Sequence, residues 1–128
     1  MTVAGQIGDV GDFRKLIAWQ EAKRLSVLSR DAIRSLPDAE KYALGAQWRR
    51  AAYSVALNIA EGAGQRSPRQ FRRYLAISKG SLDELQAIFE FAEASGYVSG
   101  ETLTQLRLVH IHCVRLVTAL ARSISDTR

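Results

Sequence analysis

Gly62-Ala63-Gly64-Gln65-Arg66-Ser67-Pro68-Arg69-Gln70-Phe71 is the stretch on which the fold turns. Gly62 and Gly64 read as a helix end, because glycine takes the left-handed C′ conformation without steric penalty. Ser67 then reads as an N-cap and Pro68 as the first helical residue. Gln70, three residues after the cap, completes a capping box. A helix thus stops, turns and restarts within ten residues, which predicts two antiparallel neighbours. Downstream, Phe71, Leu75, Ser78, Leu82, Leu85, Phe89 and Ala92 recur at steps of three and four, a heptad stripe. Upstream, Leu44, Trp48, Ala51, Val55 and Ile59 follow the same spacing.

The same reading extends in both directions. A first helix is expected over 16–36, with Ala18, Ala22, Leu25, Leu28, Ala32 and Leu36 on one face. Pro37 ends it, because the residue before a proline is pushed out of helical geometry. Asp38 is expected to cap a continuous second helix over 38–63. Ser95-Gly96 breaks the third helix, and Ser99-Gly100 precedes a fourth. That last helix carries Leu103, Leu106, His110, Cys113, Val117, Leu120 and Ile124 at heptad spacing. No strand pattern or repeat is visible. The fold class predicted is all-α, an antiparallel four-helix bundle over 13–128, preceded by a flexible tail over 1–12.

Composition bounds the setting. The chain has 128 residues, one domain's worth, and 47% are hydrophobic, well above disordered composition. Cys113 is the single cysteine, so no intrachain disulfide can form. The first eleven residues lack the basic start and apolar run of a signal peptide. No run of about 18 apolar residues occurs, so no membrane span is expected. A cytoplasmic protein is the expectation.

There is more apolar surface than one face per helix requires. Tyr74, Ile77, Ile88 and Phe91 form a second stripe on the third helix, and Phe13, Leu16, Ile17 and Trp19 crowd the start of the first. Either these widen the core-facing surface, or they mark an interface, since large exposed apolar patches usually do.

Charge is uneven as well. Between 41 and 79 stand eight basic residues: Lys41, Arg49, Arg50, Arg66, Arg69, Arg72, Arg73 and Lys79. Glu61 is the one acid there, so this segment carries +7 within a total of +5. Arg66, Arg69, Arg72 and Arg73 gather at the turn before the third helix and on its first turns. Cations there oppose the helix dipole, which favours anions at that end, and bound phosphate would compensate. A basic patch is also the electrostatic footprint of nucleic-acid binding. The plain alternative is a solvated face neutralised by acids elsewhere. Arg49, Arg50 and Lys79 are the outlying candidates for the same surface.

The second helix also carries a polar stripe of Gln47, Arg50, Ser54, Asn58 and Glu61. Such a stripe forms a network across an interface, or is simply solvated. Ser54, Asn58 and Glu61 are the candidate interface residues, with Glu61 the acid nearest in sequence to partner the arginines. Gly80, in mid-helix, costs ~1 kcal/mol relative to alanine; either close approach of another helix offsets this or it is a tolerated defect.

Signals for catalysis are weak. Gly62 to Ser67 resembles half of a phosphate loop, but it follows a helix and lacks the lysine of the phosphate-binding motif. His110 and Cys113 share a face while His112 points elsewhere, which suits a core histidine beside a buried thiol better than a metal site. Neither histidine has a glutamate three residues before it, as a di-iron bundle requires. No enzymatic activity, cofactor or metal is expected.

Gln47-Trp48-Arg49-Arg50-Ala51-Ala52-Tyr53-Ser54-Val55-Ala56-Leu57-Asn58-Ile59-Ala60-Glu61-Gly62 resembles the signature of the four-helix-bundle proteins encoded by intervening sequences in bacterial 23S rRNA genes. Phe13-Arg14-Lys15-Leu16 with Trp19, Phe71-Arg72-Arg73-Tyr74-Leu75, and Gly80-Ser81-Leu82-Asp83-Glu84-Leu85 follow the same family in order. Trp48 and Ala56 depart from the expected pattern. The resemblance runs from Phe13 to about Ala121, and the family is similar to the accessory protein of diversity-generating retroelements. It implies an oligomer, a homopentameric ring, with a basic surface proposed for nucleic acid. It implies no molecular activity.

Two functions follow as expectations. One is an oligomeric adaptor holding RNA or DNA by its phosphates, which gives affinity without sequence choice. The other is a scaffold whose polar stripe and spare apolar faces serve assembly or a protein partner.

Overall fold

The computed structural model describes residues 12–124. A 3₁₀ turn, Phe13–Lys15, leads into α1, Ile17–Ile33. A one-turn helix, Asp38–Lys41, precedes α2, Leu44–Ala63. Then come α3, Pro68–Ala94, and α4, Gly100–Ser123. Among the described residues there is no strand. Each helix packs on its sequence neighbours and α4 closes against α1, so α1 and α3 lie diagonally, as do α2 and α4. This is the expected antiparallel four-helix bundle.

The predicted stripes form the core, with Leu28 and Leu44 only half-buried at its edge. All seven heptad residues of α3, from Phe71 to Ala92, are buried, and so are all seven from Leu103 to Ile124. Trp48 has no exposed surface and meets the edge of Phe89, ring centres 5.7 Å apart; Phe89 in turn meets His110 at 5.7 Å. Each large side chain buried this way contributes about 1.5–3 kcal/mol. Two serines, Ser78 buried and Ser26 half-buried, tie helices together. Ser78 Oγ donates to the Val55 carbonyl at 2.9 Å, and Ser26 Oγ to the Ala52 carbonyl at 3.0 Å.

Three local expectations need correction. The second helix is not continuous from Asp38. Pro37 itself sits at the N-cap of the one-turn helix, and the chain breaks at Ala43, with φ −110° and ψ −91°. The break lets Gly45 dock on the end of α1, where an added Cβ would lie 3.3 Å from Ile33 Cγ2. Among the described residues Gly80 has no neighbouring helix: none of them lies within 4 Å of where its Cβ would be. The spare apolar stripes divide. Leu16 and Ile88 join the core and Phe13, Trp19 and Tyr74 are half-buried, but Ile17, Ile77 and Phe91 are exposed.

The α3–α4 turn closes as a Schellman motif. Gly96 takes φ +73°, its N–H bonds to Glu93 O at 3.0 Å, and the Tyr97 N–H bonds to Ala92 O at 2.9 Å. Tyr97 Oη also donates to Glu40 Oε2 at 3.0 Å, pinning this turn to the one after α1. That bond to a carboxylate holds the tyrosine hydroxyl above its ordinary pKa. The expected tail lies outside the described residues, Asp12 excepted. Asp12 Oδ1 accepts the Arg14 backbone N–H at 3.1 Å and so caps the 3₁₀ turn.

Candidate nucleic-acid interface

The α2–α3 turn is built by close approach rather than by left-handed glycine. Gly64 is right-handed, φ −79°, so it does not supply the expected C′ conformation. Gly62 lies inside α2, and a Cβ there would come within 2.9 Å of both Phe71 Cδ1 and Tyr74 Cβ. Glycine is needed so that the first turns of α3 can lie against the last turn of α2. Ser67 Oγ accepts the Gln70 N–H at 3.2 Å, and Pro68 opens the helix, as its sequence signals predict.

That construction presents the arginines. Arg66, Arg69 and Arg73 are exposed, and among the described residues they form no ion pair. Arg72 is half-buried. Arg69 and Arg73 lie one turn apart on the outside of α3.

The other candidates lie elsewhere. Ser81 Oγ donates to Ser54 Oγ at 2.7 Å, which makes these residues level across the α2–α3 seam. With ~1.5 Å rise per residue in antiparallel helices, Arg49 and Arg69 are about 25 Å apart along the bundle. That exceeds the ~8–10 Å over which charges act together in physiological salt. Arg50 Nη1 donates to Gln47 Oε1 at 3.1 Å, and Lys79 Nζ is paired with Asp83 Oδ1 at 2.9 Å. Arg49 turns towards α1, near Ser29 and Arg30.

Of the polar stripe, Ser54 and Asn58 form a local network. Asn58 Nδ2 donates to Ser54 O at 2.8 Å and to Ser54 Oγ at 3.0 Å, and Ser81 extends it to α3. Glu61 is exposed and accepts from Gln65 Nε2 at 3.3 Å.

The histidines separate as read. His110 is buried, and its Nε2 donates to the Leu82 carbonyl at 2.7 Å. His112 Nδ1 lies 2.9 Å from Glu21 Oε1 on the α1–α4 surface. Burial, and then the Glu21 carboxylate, push the Cys113 thiol up to about 12, with Arg24 pulling weakly the other way. The thiol stays protonated and unreactive near neutral pH.

The family model described as 23S rRNA-intervening sequence protein matches residues 14–119. The chain belongs to this family. The match spans α1 to α4 and takes in the Gly62 contact and the arginine turn. No curated protein matches the chain. Within this family member, no helix among the described residues is long and apolar enough to cross a membrane.

One feature escaped the sequence. Trp19, Val27, Tyr53, Ala56 and Leu57 line an open groove of about 210 Å³ between α1 and α2. Lys23 and Arg30 stand on its rim, with Lys23 Nζ 5.2 Å from the Trp19 ring centre. Tyr53 and Leu57, one turn apart and off the core stripe, were its signal.

Proposed function

We propose that the protein is a non-enzymatic, oligomeric adaptor that holds the phosphate backbone of nucleic acid through the arginines of the α2–α3 turn. One observation carries this reading: Arg66, Arg69 and Arg73 stand exposed and without ion pairs among the described residues, beside the N-terminus of α3. The helix dipole makes that end favourable for anions and unfavourable for unpartnered cations. A phosphate placed there answers both the dipole and the guanidiniums. The contacts are to backbone, so binding is tolerant of sequence.

In an oligomer, for which the family resemblance suggests a five-membered ring, the turn is repeated on every subunit. Weak single contacts then add by avidity. Arg49, Arg50 and Lys79 contribute at most at long range, given their distance and partners. The competing reading, a protein scaffold without nucleic acid, draws on the α1–α2 groove. The test compares Arg69→Ala combined with Arg73→Ala against the wild type, using a generic single-stranded oligonucleotide at low salt. The adaptor reading expects loss of affinity. Equal affinity of the two proteins places the binding elsewhere, and no binding by either favours the scaffold.

A further inference from the structure

The outer ridge of α3 is unusual for an exposed helix face. Ile77, Gly80, Glu84, Ala87 and Phe91 follow at steps of three and four, and all are exposed. Phe91 is 66% exposed and Ile77 43%. A glycine in mid-helix weakens the helix, and among the described residues nothing packs on Gly80 to offset it. The ridge is therefore a low, apolar surface with one anion, Glu84, which forms no ion pair among the described residues.

The α1–α2 groove has the opposite character. Its walls are apolar and aromatic, and among the described residues no acid lines it; of its two rim cations Arg30 lies 3.4 Å from Asp31, while Lys23 forms no ion pair among the described residues. Leu57, on the wall, is 64% exposed.

We propose that the α3 ridge of one copy seats in the α1–α2 groove of a second copy, with Phe91 against Tyr53 and Leu57 and Glu84 facing the rim cations. This rests on the oligomeric part of the reading above and supplies its contact surfaces. The two surfaces differ, so the contact is head-to-tail and generates rings or filaments rather than a two-fold dimer. The contact runs along α3 from Ile77 to Phe91, C-terminal to Arg66, Arg69 and Arg73 in the chain.

Light scattering on the full chain, with disulfide cross-linking, tests the seating. Phe91→Asp and Leu57→Asp alter exposed residues, and circular dichroism checks that each variant stays helical. Both are expected to shift the mass toward the 14.2 kDa monomer. Glu84→Arg is expected to weaken assembly, and Lys23→Glu in the same chain to recover part of it. Leu57→Cys mixed with Phe91→Cys is expected to give interchain disulfides that neither variant forms alone; buried Cys113 stays out of the reaction. An oligomer whose mass neither aspartate changes, or a single cysteine variant that cross-links to itself, overturns the seating but leaves oligomerisation standing. A wild type at 14.2 kDa at micromolar concentration overturns both.

Discussion

Arg24, Arg30 and Arg34, on α1 and at its end, are exposed like Arg66, Arg69 and Arg73 at the α2–α3 turn, yet their surroundings differ. Arg24 lies 3.6 Å from Glu21, while Arg30 and Arg34 lie 3.4 and 3.9 Å from Asp31. On α1 each guanidinium has a carboxylate within a turn, the usual arrangement of a solvated helix face. At the turn, Arg66, Arg69 and Arg73 have none among the described residues. Cations that the chain leaves unneutralised are the ones free to take an external anion. A count of basic residues misses this distinction.

The largest effect expected is on binding. Arg69→Ala with Arg73→Ala should weaken oligonucleotide binding by about a hundredfold or more, since each hydrogen bond to a charged group is worth about 1.5–3 kcal/mol and two are removed. Arg24→Ala with Arg34→Ala should change it less than about twofold, because each already lies beside a carboxylate and neither lines the α1–α2 groove. Equal losses in the two double variants would erase the contrast and reduce binding to net charge.

Gly62→Ala sharpens the contrast from the structural side. The new methyl would crowd Phe71 and Tyr74 at 2.9 Å, and overpacking of this kind costs about 1–3 kcal/mol. Thermal melting should fall by several degrees, and binding should weaken with it, because the turn that presents the arginines is displaced. An unchanged melting curve would show that the contact relaxes freely. Ser67→Ala removes the cap on the same turn and should cost about 1 kcal/mol in denaturant unfolding. A loss well below that would mean the turn is held by Pro68 and Gly62 instead.

Much of the bundle was legible because helical burial repeats every three to four residues. The stripes from Phe71 to Ala92 and from Leu103 to Ile124 needed no knowledge of their neighbours. Ser67 and Pro68 were equally local signals. What escaped depends on three-dimensional approach. Gly62 looked like a helix end, whereas its role is set by Phe71 and Tyr74 arriving from the next helix. The break at Ala43 follows from docking Gly45 on Ile33, and no residue type announces it. Arg49 and Arg69 fall in one basic segment, yet antiparallel packing carries them to different heights. The groove joins Trp19 to Leu57, residues that sequence alone gives no reason to connect.

Binding of the wild-type chain to a generic single-stranded oligonucleotide, followed from about 50 to 200 mM salt, tests the central claim most directly. If Arg66, Arg69 and Arg73 hold phosphates, log affinity falls linearly with log salt by about 0.7 for each contact, roughly two units for each subunit engaged. The Arg69→Ala, Arg73→Ala variant then loses about 1.4 of those units. Absence of binding at the lowest salt, or binding with a flat salt dependence, would contradict the account.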